Sequence, residues 1–344
     1  YTSYDVVKAL WDIAARLGFA RGRVLEPSMG TGNFFGVMPP DLMRAARLTG
    51  VELDSITGRI AKQLYQDADV RVSGFEDVKL PDNYFDMAIG NVPFGDYPIA
   101  DPAYSKTGMT SAIHNYFFAK SLDKVRPGGL VIFVTSRYTL DAKAQKVRKY
   151  LAERAELVDA IRLPETAFKG NAGTEVTTDI LIFRKKGFGP AIQEKKWLES
   201  VEVRDSKTGE YYHINQYFKD NPIKMLGKPA VEHNLYALSF TLKSDGREIG
   251  QAISDAMQGI QKDVLGDVER HVEEAKRDLI PAPGHVKEGG LVVVDGKVFR
   301  RQEGNLEDVD GVPIPRVEAM LTVRDAVREV QRTQLNDASE EDIQ

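Results

Sequence analysis

Short apolar segments alternate with helix-like segments along the first half of the chain. Seven of the apolar segments are rich in β-branched residues, and several are continuous runs, as in strands buried on both faces. These segments are Arg23–Ser28, Leu48–Leu53, Val70–Phe75, Tyr84–Val92, Gly129–Ser136, Leu157–Pro164 and Thr178–Lys186. Helical periodicity separates them at Tyr4–Leu17, Ser55–Asp67, Ile113–Val125 and Asp141–Arg154. The alternation predicts an α/β fold with a doubly wound, Rossmann-like, seven-stranded sheet and ligands at the carboxyl edge of its strands.

The pattern changes after the basic run Arg184–Lys186. A linker-like segment is followed by a hairpin pattern around residues 204–214 and by a charged helical stretch from Gly246 to about Leu279. Residues 291–301 predict a second hairpin, with Asp-Gly at its turn, and a last helix is expected from Pro315 to about Gln334. We therefore expect a catalytic domain at residues 1–186 and a smaller α+β accessory region at 187–344.

The two ends of the chain suggest a piece of a longer protein. The sequence begins on Tyr1 without a methionine and ends in a polar, acidic run. We expect the accessory region to lead toward a further C-terminal portion.

Composition narrows the class of protein. The chain has 344 residues, 42% of them hydrophobic and 28% charged, and no apolar run approaches the roughly 20 residues that span a bilayer. It contains no cysteine, which excludes disulfides and thiolate chemistry and fits a cytoplasmic location. Its five histidines show no metal-ligand spacing, so we expect no metal site and give them solvated or helix-capping roles. The net charge of −5 permits a local nucleic-acid groove but argues against a wholly basic surface.

The first strand ends in the sequence LEPSMGTGNF, which places Glu26 and Pro27 just before the glycines Gly30 and Gly32. Glycines at a strand–helix turn let the backbone approach a ligand closely, although a single Gly-x-Gly also occurs in simple tight turns. A carboxylate beside the glycines repels phosphates and suits a ligand that carries an ammonium group.

The next two strand ends add further ligand chemistry. Glu52 follows Gly30 by 22 positions, near the roughly 20-residue offset at which an acid binds ribose hydroxyls. Asp54, two residues later, is either a second cofactor ligand or a solvated acid. In SGFED, Phe75 could stack on an adenine and Glu76 or Asp77 could accept a hydrogen bond from its amine, or Phe75 could be a hydrophobic plug. An amino-acid site, a ribose site and an adenine site together match S-adenosyl-L-methionine.

The fourth strand ends in AIGNVPFGDY, residues Ala88–Tyr97. Asparagine, proline, glycine and aspartate are common turn formers, so one interpretation is a simple turn. The other is that Asn91 and Phe94 hold a flat ligand with a polar edge.

In their order along the chain, these motifs resemble those of the gamma class of N6-adenine DNA methyltransferases. The segments that carry the resemblance are EPSMGTGNF, VELD, GFED, GNVPFG, HNYFFAKSLDKVRPGGLVIFVTSRY and IRLPETAFKGNAGTEVTTDILIFRKK. The class includes type I and type IIG restriction-modification enzymes, and the likeness is strongest to the methylase region of large methylase–helicase proteins of plasmids and conjugative elements. The resemblance covers Tyr1 to about Lys186 and continues more weakly through Ile214–Pro222. It implies S-adenosyl-L-methionine as cofactor, adenine-containing duplex DNA as substrate and a helicase region of the same polypeptide as a partner.

The resemblance also implies a role for each motif residue. Glu26, Gly30 and Gly32 would hold the methionine end of the cofactor with help from Thr2, while Glu52 would bind the ribose and Phe75 the cofactor adenine. In NVPF, the side-chain oxygen of Asn91 and the carbonyl of Val92 would accept hydrogen bonds from the target N6 amine. Pro93 would stiffen that loop, Phe94 would stack on the extruded base, and Phe168 would contact the base from another side.

Two departures from the family pattern leave alternatives open. Val92 stands where the family has its first proline, and Gly74 stands where many relatives have an aspartate. The rival hypotheses are a methyltransferase acting on RNA or on a protein glutamine, and a catalytically degenerate DNA-binding module of a helicase machine.

Overall fold

A seven-stranded sheet with the strand order β3-β2-β1-β4-β5-β7-β6 organises the first 266 residues. Its strands are β1 (Gly22–Glu26), β2 (Ala46–Glu52), β3 (Asp69–Val72), β4 (Phe85–Asn91), β5 (Val125–Ser136), β6 (Ala155–Leu163) and β7 (Thr178–Lys185). All pairings are parallel except those of β7, which runs antiparallel to β5 and β6. All seven predicted strands are present, and this is the strand order of the class I S-adenosylmethionine-dependent methyltransferase fold. The predicted fold class is confirmed.

The structure is a computed structural model that describes residues 2–168, 176–187, 189–205, 208–234, 237–265, 280–284, 286–287, 289–302, 304–309 and 312–337. Two compact units divide the chain, at residues 1–266 and 267–344. The predicted functional division at 186/187 stays a prediction.

Helices cover both faces of the sheet in the first unit. They are α1 (Tyr4–Arg16), α2 (Asn33–Val37), α3 (Pro40–Ala45), α4 (Ser55–Leu64), α5 (Ile113–Lys124), α6 (Tyr138–Asp141), α7 (Lys146–Arg154), α8 (Gln216–Asp220) and α9 (Ile249–Met257). Side chains of β4 alternate between two apolar clusters. Met87 and Ile89 pack with α1 in the α1-side cluster, and Ala88 packs with α5 in the α5-side cluster. Burial on both faces is why these strands appear in the sequence as continuous apolar runs.

The helices differ from the expected pattern in several places. The sequence did not indicate α2 and α3, which are only five and six residues long. The helix expected at Asp141–Arg154 begins only at Lys146, as α7, and Asp141 is the last residue of the preceding helix α6. The buried guanidinium of Arg148 separates them by donating hydrogen bonds to the carbonyls of Leu140 and Ala142, which satisfies the end of α6.

The segment after Lys186 joins the sheet through buried charges. Arg162 on β6 donates to Asp179 on β7 (Nε to Oδ1, 2.7 Å) and to Asp141 (Nη2 to Oδ1, 2.9 Å). Asp141 also accepts the backbone N–H of Asn215 at 2.8 Å. Buried ions that pair in this way are costly to separate, so the network fixes the later segment on the β6–β7 edge.

Two hairpins and three 3-10 turns complete the described part of the first unit; two of these turns are Met109–Ser111 and Pro222–Lys224. The hairpins are β8 (Ser200–Arg204) with β9 (Tyr211–Asn215), which confirms the hairpin predicted there, and β10 (Lys228–Asn234) with β11 (Ala237–Lys243). A 3-10 turn at Glu165–Phe168 follows β6.

The second unit contains a four-stranded sheet of order β12-β15-β14-β13. Its strands are β12 (Ile280–Pro281), β13 (Leu291–Val294), β14 (Lys297–Gln302) and β15 (Asn305–Asp308), and helix α10 spans Ile314–Asp337. Asp295 and Gly296 have φ of 47° and 72°, as a two-residue hairpin turn requires, so the predicted hairpin and last helix are confirmed. The helix expected from Gly246 to about Leu279 is shorter in its described part, because α9 ends at Met257 and residues 258–265 are not helical. Residues 266–279 lie outside the described residues. No helix among the described residues is both long and apolar enough to cross a membrane.

Candidate functional site

The carboxyl ends of β1, β2 and β4 bring Glu26, Glu52 and Asn91 to one edge of the sheet. The sheet order reverses between β1 and β4, and such a switch point leaves a crevice for ligands. A methyl group added at Gly90 would lie 3.5 Å from Cγ of Glu26, so the ends of β1 and β4 are in direct contact.

The glycine loop after β1 is held by the end of β2. Glu52 accepts the backbone N–H of Gly30 (Oε2, 2.8 Å) and that of Asp54 (Oε1, 2.9 Å). Gly30 and Gly32 have φ of 57° and 86°, a conformation that favours glycine. A Cβ at Gly32 would meet the ring of Tyr65 at 2.3 Å, whereas one at Gly30 would meet nothing within 4 Å. The loop therefore packs tightly at Gly32 and presents open backbone at Gly30.

Glu26 is a buried carboxyl that forms no ion pair with a side chain in the described part of the protein. Its residue is 1% exposed, and its Oε2 has no hydrogen-bond partner among the described residues. Burial, followed by repulsion from the Glu52 carboxylate, raises the pKa of Glu26 well above its ordinary value. Because an unpaired buried carboxylate is costly, a cationic group placed beside Glu26 would be strongly favoured. Pro27, the next residue, is buried.

Asn91 is oriented by a residue 89 positions earlier in the sequence. Its Nδ2 donates to Oγ1 of the buried Thr2 at 3.0 Å, while its Oδ1 is buried without a partner in the described part of the chain. The amide nitrogen is thus engaged, and the amide oxygen is left as a hydrogen-bond acceptor at the strand edge.

The residues after Asn91 divide between the two faces of the sheet. Val92 is 1% exposed in the α5-side cluster, and its N–H donates to the carbonyl of Val134 at 3.1 Å, which extends the β4–β5 ladder by one bond. Pro93 is half-buried. Phe94 packs against the α1-side cluster, of which the buried Phe168 is a member. The two predicted base-contacting aromatics therefore belong to one apolar cluster.

After β3, the structure supports the interpretation of Phe75 as a buried hydrophobic packing residue. Phe75 is 2% exposed, and its ring centroid lies 4.9 Å from that of Phe117. The carbonyl of Glu76 accepts from Nζ of Lys120 at 3.0 Å. Contact of Phe75 and Glu76 with a cofactor adenine stays a prediction.

Asp54 has a structural function at the start of α4. Its Oδ1 accepts the N–H of Thr57 at 2.7 Å, as a helix N-cap does. A contribution of Asp54 to cofactor binding stays a prediction.

His114 was not anticipated as part of this region. It lies in the first turn of α5 at 2% exposure, so the solvated role expected from the sequence is wrong. Burial lowers its pKa, partly offset by the Asp96 carboxylate and by a hydrogen bond to the Gly95 backbone. The signal in the sequence was its position at the start of an otherwise apolar helix, HNYFF.

These residues fit S-adenosyl-L-methionine, the cofactor expected for this fold. The unpaired oxygen of Glu26 suits the cofactor's ammonium group, and open backbone at Gly30 permits close approach. Glu52 has carboxylate lone pairs beyond those used by the two backbone N–H groups, and these suit ribose hydroxyls.

Comparisons with known proteins give one sequence relative and several structural neighbours. No protein-family model matches the chain. Over 192 residues the chain is 34% identical to the Defense against restriction protein B of Escherichia phage P1, a match covering 54% of this chain and 8% of the phage protein. The matched segment is thus under a tenth of that relative's length.

Two solved structures illustrate the similarity of fold. One is a candidate class I S-adenosylmethionine-dependent methyltransferase of Listeria monocytogenes, with a TM-score of 0.49 and 20% identity over 56% of this chain and 63% of that one. The other is the type I restriction-modification system methyltransferase subunit of Streptococcus thermophilus, with a TM-score of 0.47 and 15% identity over 78% of this chain and 59% of that one.

Proposed function

We propose that this chain transfers the methyl group of S-adenosyl-L-methionine to the N6 amine of an adenine in DNA. The observation that carries the proposal is the amide of Asn91, whose nitrogen donates one N–H to Thr2 and whose buried oxygen has no hydrogen-bond partner among the described residues. A target that presents an N–H group to this oxygen gains a hydrogen bond.

The chemistry needs acceptors because an exocyclic amine is a weak nucleophile. Its lone pair is delocalised into the purine ring, and acceptors fixed at two N–H positions favour a pyramidal nitrogen with a localised lone pair. Oδ1 of Asn91 is one such acceptor. The carbonyl of Val92 is the other, and the peptide that precedes Val92 is held by the bond from the Val92 N–H to the carbonyl of Val134. When bound, the cofactor supplies an electrophilic methyl group on a sulfonium, so catalysis by the chain is mainly positioning and electrostatics.

An adenine inside a duplex must leave the base stack to reach this edge. The half-buried Phe94, three residues after Asn91, provides aromatic surface for the base, whereas Phe168 is buried in the α1-side cluster and its contact with the base stays a prediction. Stacking on such rings offsets part of the cost of unstacking. The name of the phage P1 relative, which concerns defence against restriction, also favours DNA as the substrate.

The test measures tritium transfer from labelled cofactor to duplex DNA that contains adenine, to RNA of the same sequence and to a glutamine-containing peptide. We expect label in DNA, and we expect Asn91→Ala to lower the rate by roughly 10²- to 10³-fold, as for loss of one positioned hydrogen bond in other enzymes. Gln251→Ala, which removes an exposed amide on α9, is the matched control and should transfer at the wild-type rate.

Cofactor binding of Asn91→Ala, measured by calorimetry, shows whether the site remains folded. Label only in RNA or only in peptide would replace this proposal with one of the rival substrates. Cofactor binding without transfer to any of the three would identify a degenerate module.

A further inference from the structure

A cavity of about 390 Å³ lies among aromatic and basic side chains, two of which follow the carboxyl end of β5. This volume is within the range of about 300–1,000 Å³ typical of ligand pockets. We call it the aromatic groove and define it by Arg137, Tyr138, Lys143, Tyr211, Tyr212 and Phe240.

The aromatic groove adjoins the candidate active site in the sheet. Asn91 on β4 pairs with Val134 on the neighbouring β5, and β5 ends two residues later at Ser136. Arg137 and Tyr138 follow at once, so they leave the same carboxyl edge one strand away from Asn91. Neighbouring strands lie about 4.8 Å apart, so the residues that follow β5 leave the sheet beside those that follow β4.

The groove exposes flat aromatic surface above a packed floor. Tyr138 is 51% exposed and Tyr211 is 56% exposed. Beneath them, the rings of Tyr212 and Phe240 pack with centroids 5.0 Å apart and tilted by 32°. Exposed aromatic rings on a rigid floor are the platforms on which proteins stack unpaired bases.

Cations border these rings. The guanidinium of Arg137 lies 4.2 Å from the ring centroid of Tyr138 and donates to the Tyr138 hydroxyl at 2.8 Å. The exposed side chains of Lys143, Lys146 and Lys149 follow at three-residue spacing, and the sequence has no acid between residues 142 and 152. Such a series of positive charges fits a polyanion backbone.

The acid that lines the groove does not oppose this charge. Asp141 is 3% exposed, and its carboxylate is bound to the guanidiniums of Arg137 and Arg162. Because Asp141 is buried and paired, the exposed charge that lines the groove is that of Lys143.

We propose that the aromatic groove binds a nucleotide flanking the target adenine, with its base stacked on Tyr138 or Tyr211 and its phosphate facing Lys143. This proposal rests on the proposed function. Bases inside an intact duplex are already stacked on each other, so the groove takes a nucleotide that is single-stranded or unstacked by extrusion of its neighbour.

The experiment uses the full chain and fluorescently labelled single-stranded oligonucleotides that contain one adenine. Anisotropy gives Kd for the wild type, for Tyr138→Ala and Tyr211→Ala, and for the matching phenylalanine variants, which keep the ring. We expect a roughly 5- to 150-fold higher Kd for the alanine variant that removes the stacking ring, and recovery with phenylalanine. Ile223→Ala, which truncates a side chain that is 76% exposed and does not line the groove, should bind as the wild type does.

An abasic scan then identifies the nucleotide. Removing the base at one position beside the adenine should weaken wild-type binding as much as the tyrosine truncation does, and combining the two changes should cost no more than either alone. Additive costs at every position would overturn the groove as a base subsite.

The charge is tested by salt dependence. Lys143→Gln should lower the slope of log Kd against log salt by about 1, whereas Lys62→Gln, on the exposed face of α4, should not change it.

The two proposals fail in different ways. If the wild type methylates DNA but groove variants bind and methylate normally, the subsite is wrong and the proposed function stands. If the wild type binds no nucleic acid, both are wrong.

Discussion

Replacing Glu26 with glutamine should weaken cofactor binding and at the same time stabilise the ligand-free protein. Both effects arise because the buried carboxyl has an oxygen without a partner among the described residues. The substitution keeps the shape of the side chain and removes its negative charge. A residue that served only to pack the end of β1 would show neither effect.

The two effects have different sizes and different pH dependence. A hydrogen bond to a charged group contributes about 1.5–3 kcal/mol, so loss of a carboxylate–ammonium contact should raise the cofactor Kd roughly 10- to 150-fold. For folding, burial and Glu52 raise the pKa of Glu26 above its unfolded value. The folded state therefore favours the protonated carboxyl. The contribution of this group to the free energy of unfolding is complete below the pKa of the unfolded state and is lost as the pH rises through the pKa of the folded state. Glutamine does not titrate, so the stability advantage of Glu26→Gln should grow with pH.

Calorimetry with S-adenosyl-L-methionine and with S-adenosylhomocysteine measures the first effect. Both ligands carry the ammonium group, so the substitution should weaken both by a similar factor. Thermal unfolding without ligand at pH 5 and pH 8 measures the second effect, and Glu153→Gln, at an exposed acid, is the control. An unchanged Kd, or a stability advantage that shrinks from pH 5 to pH 8, would refute the reasoning.

Three further substitutions test the geometry of the site. In urea denaturation, Gly32→Ala should destabilise the fold by about 1–3 kcal/mol or more, because φ is positive at this position and the new Cβ would meet Tyr65. Gly30→Ala should destabilise the fold by only about 1 kcal/mol, because its new Cβ has open space. Equal costs at the two glycines would contradict the steric argument. Val92→Pro restores the proline of the resembled family but removes the N–H bond to Val134, so it should cost about 0.5–1.5 kcal/mol and leave methyl transfer no faster. If the Val92→Pro enzyme transferred methyl groups clearly faster, proline at this position would promote catalysis in a way that the hydrogen bond from Val92 to Val134 does not.

Much of the fold was predictable because the signals are local. Strand β4 appears in the sequence as the apolar run before Asn91, and the turn between β13 and β14 follows from Asp295-Gly296, whose positive φ values only a few residue types adopt readily. Short helices such as α2 were missed because five residues are too few to show a helical period. The break between α6 and α7 depends on bonds from Arg148, and no spacing rule anticipates them.

The candidate site was likewise predictable in its local features and not in its long-range contacts. The sequence by itself determined which side chains stand at the strand ends, because strand length and turn chemistry fix where Glu26, Glu52 and Asn91 occur. Only the tertiary structure decided what those side chains do. The bond from Asn91 to Thr2 spans 89 residues, and the bond from Gly30 to Glu52 spans 22. Contacts at such separations depend on the order of strands in the sheet, which packing selects and which local sequence does not encode.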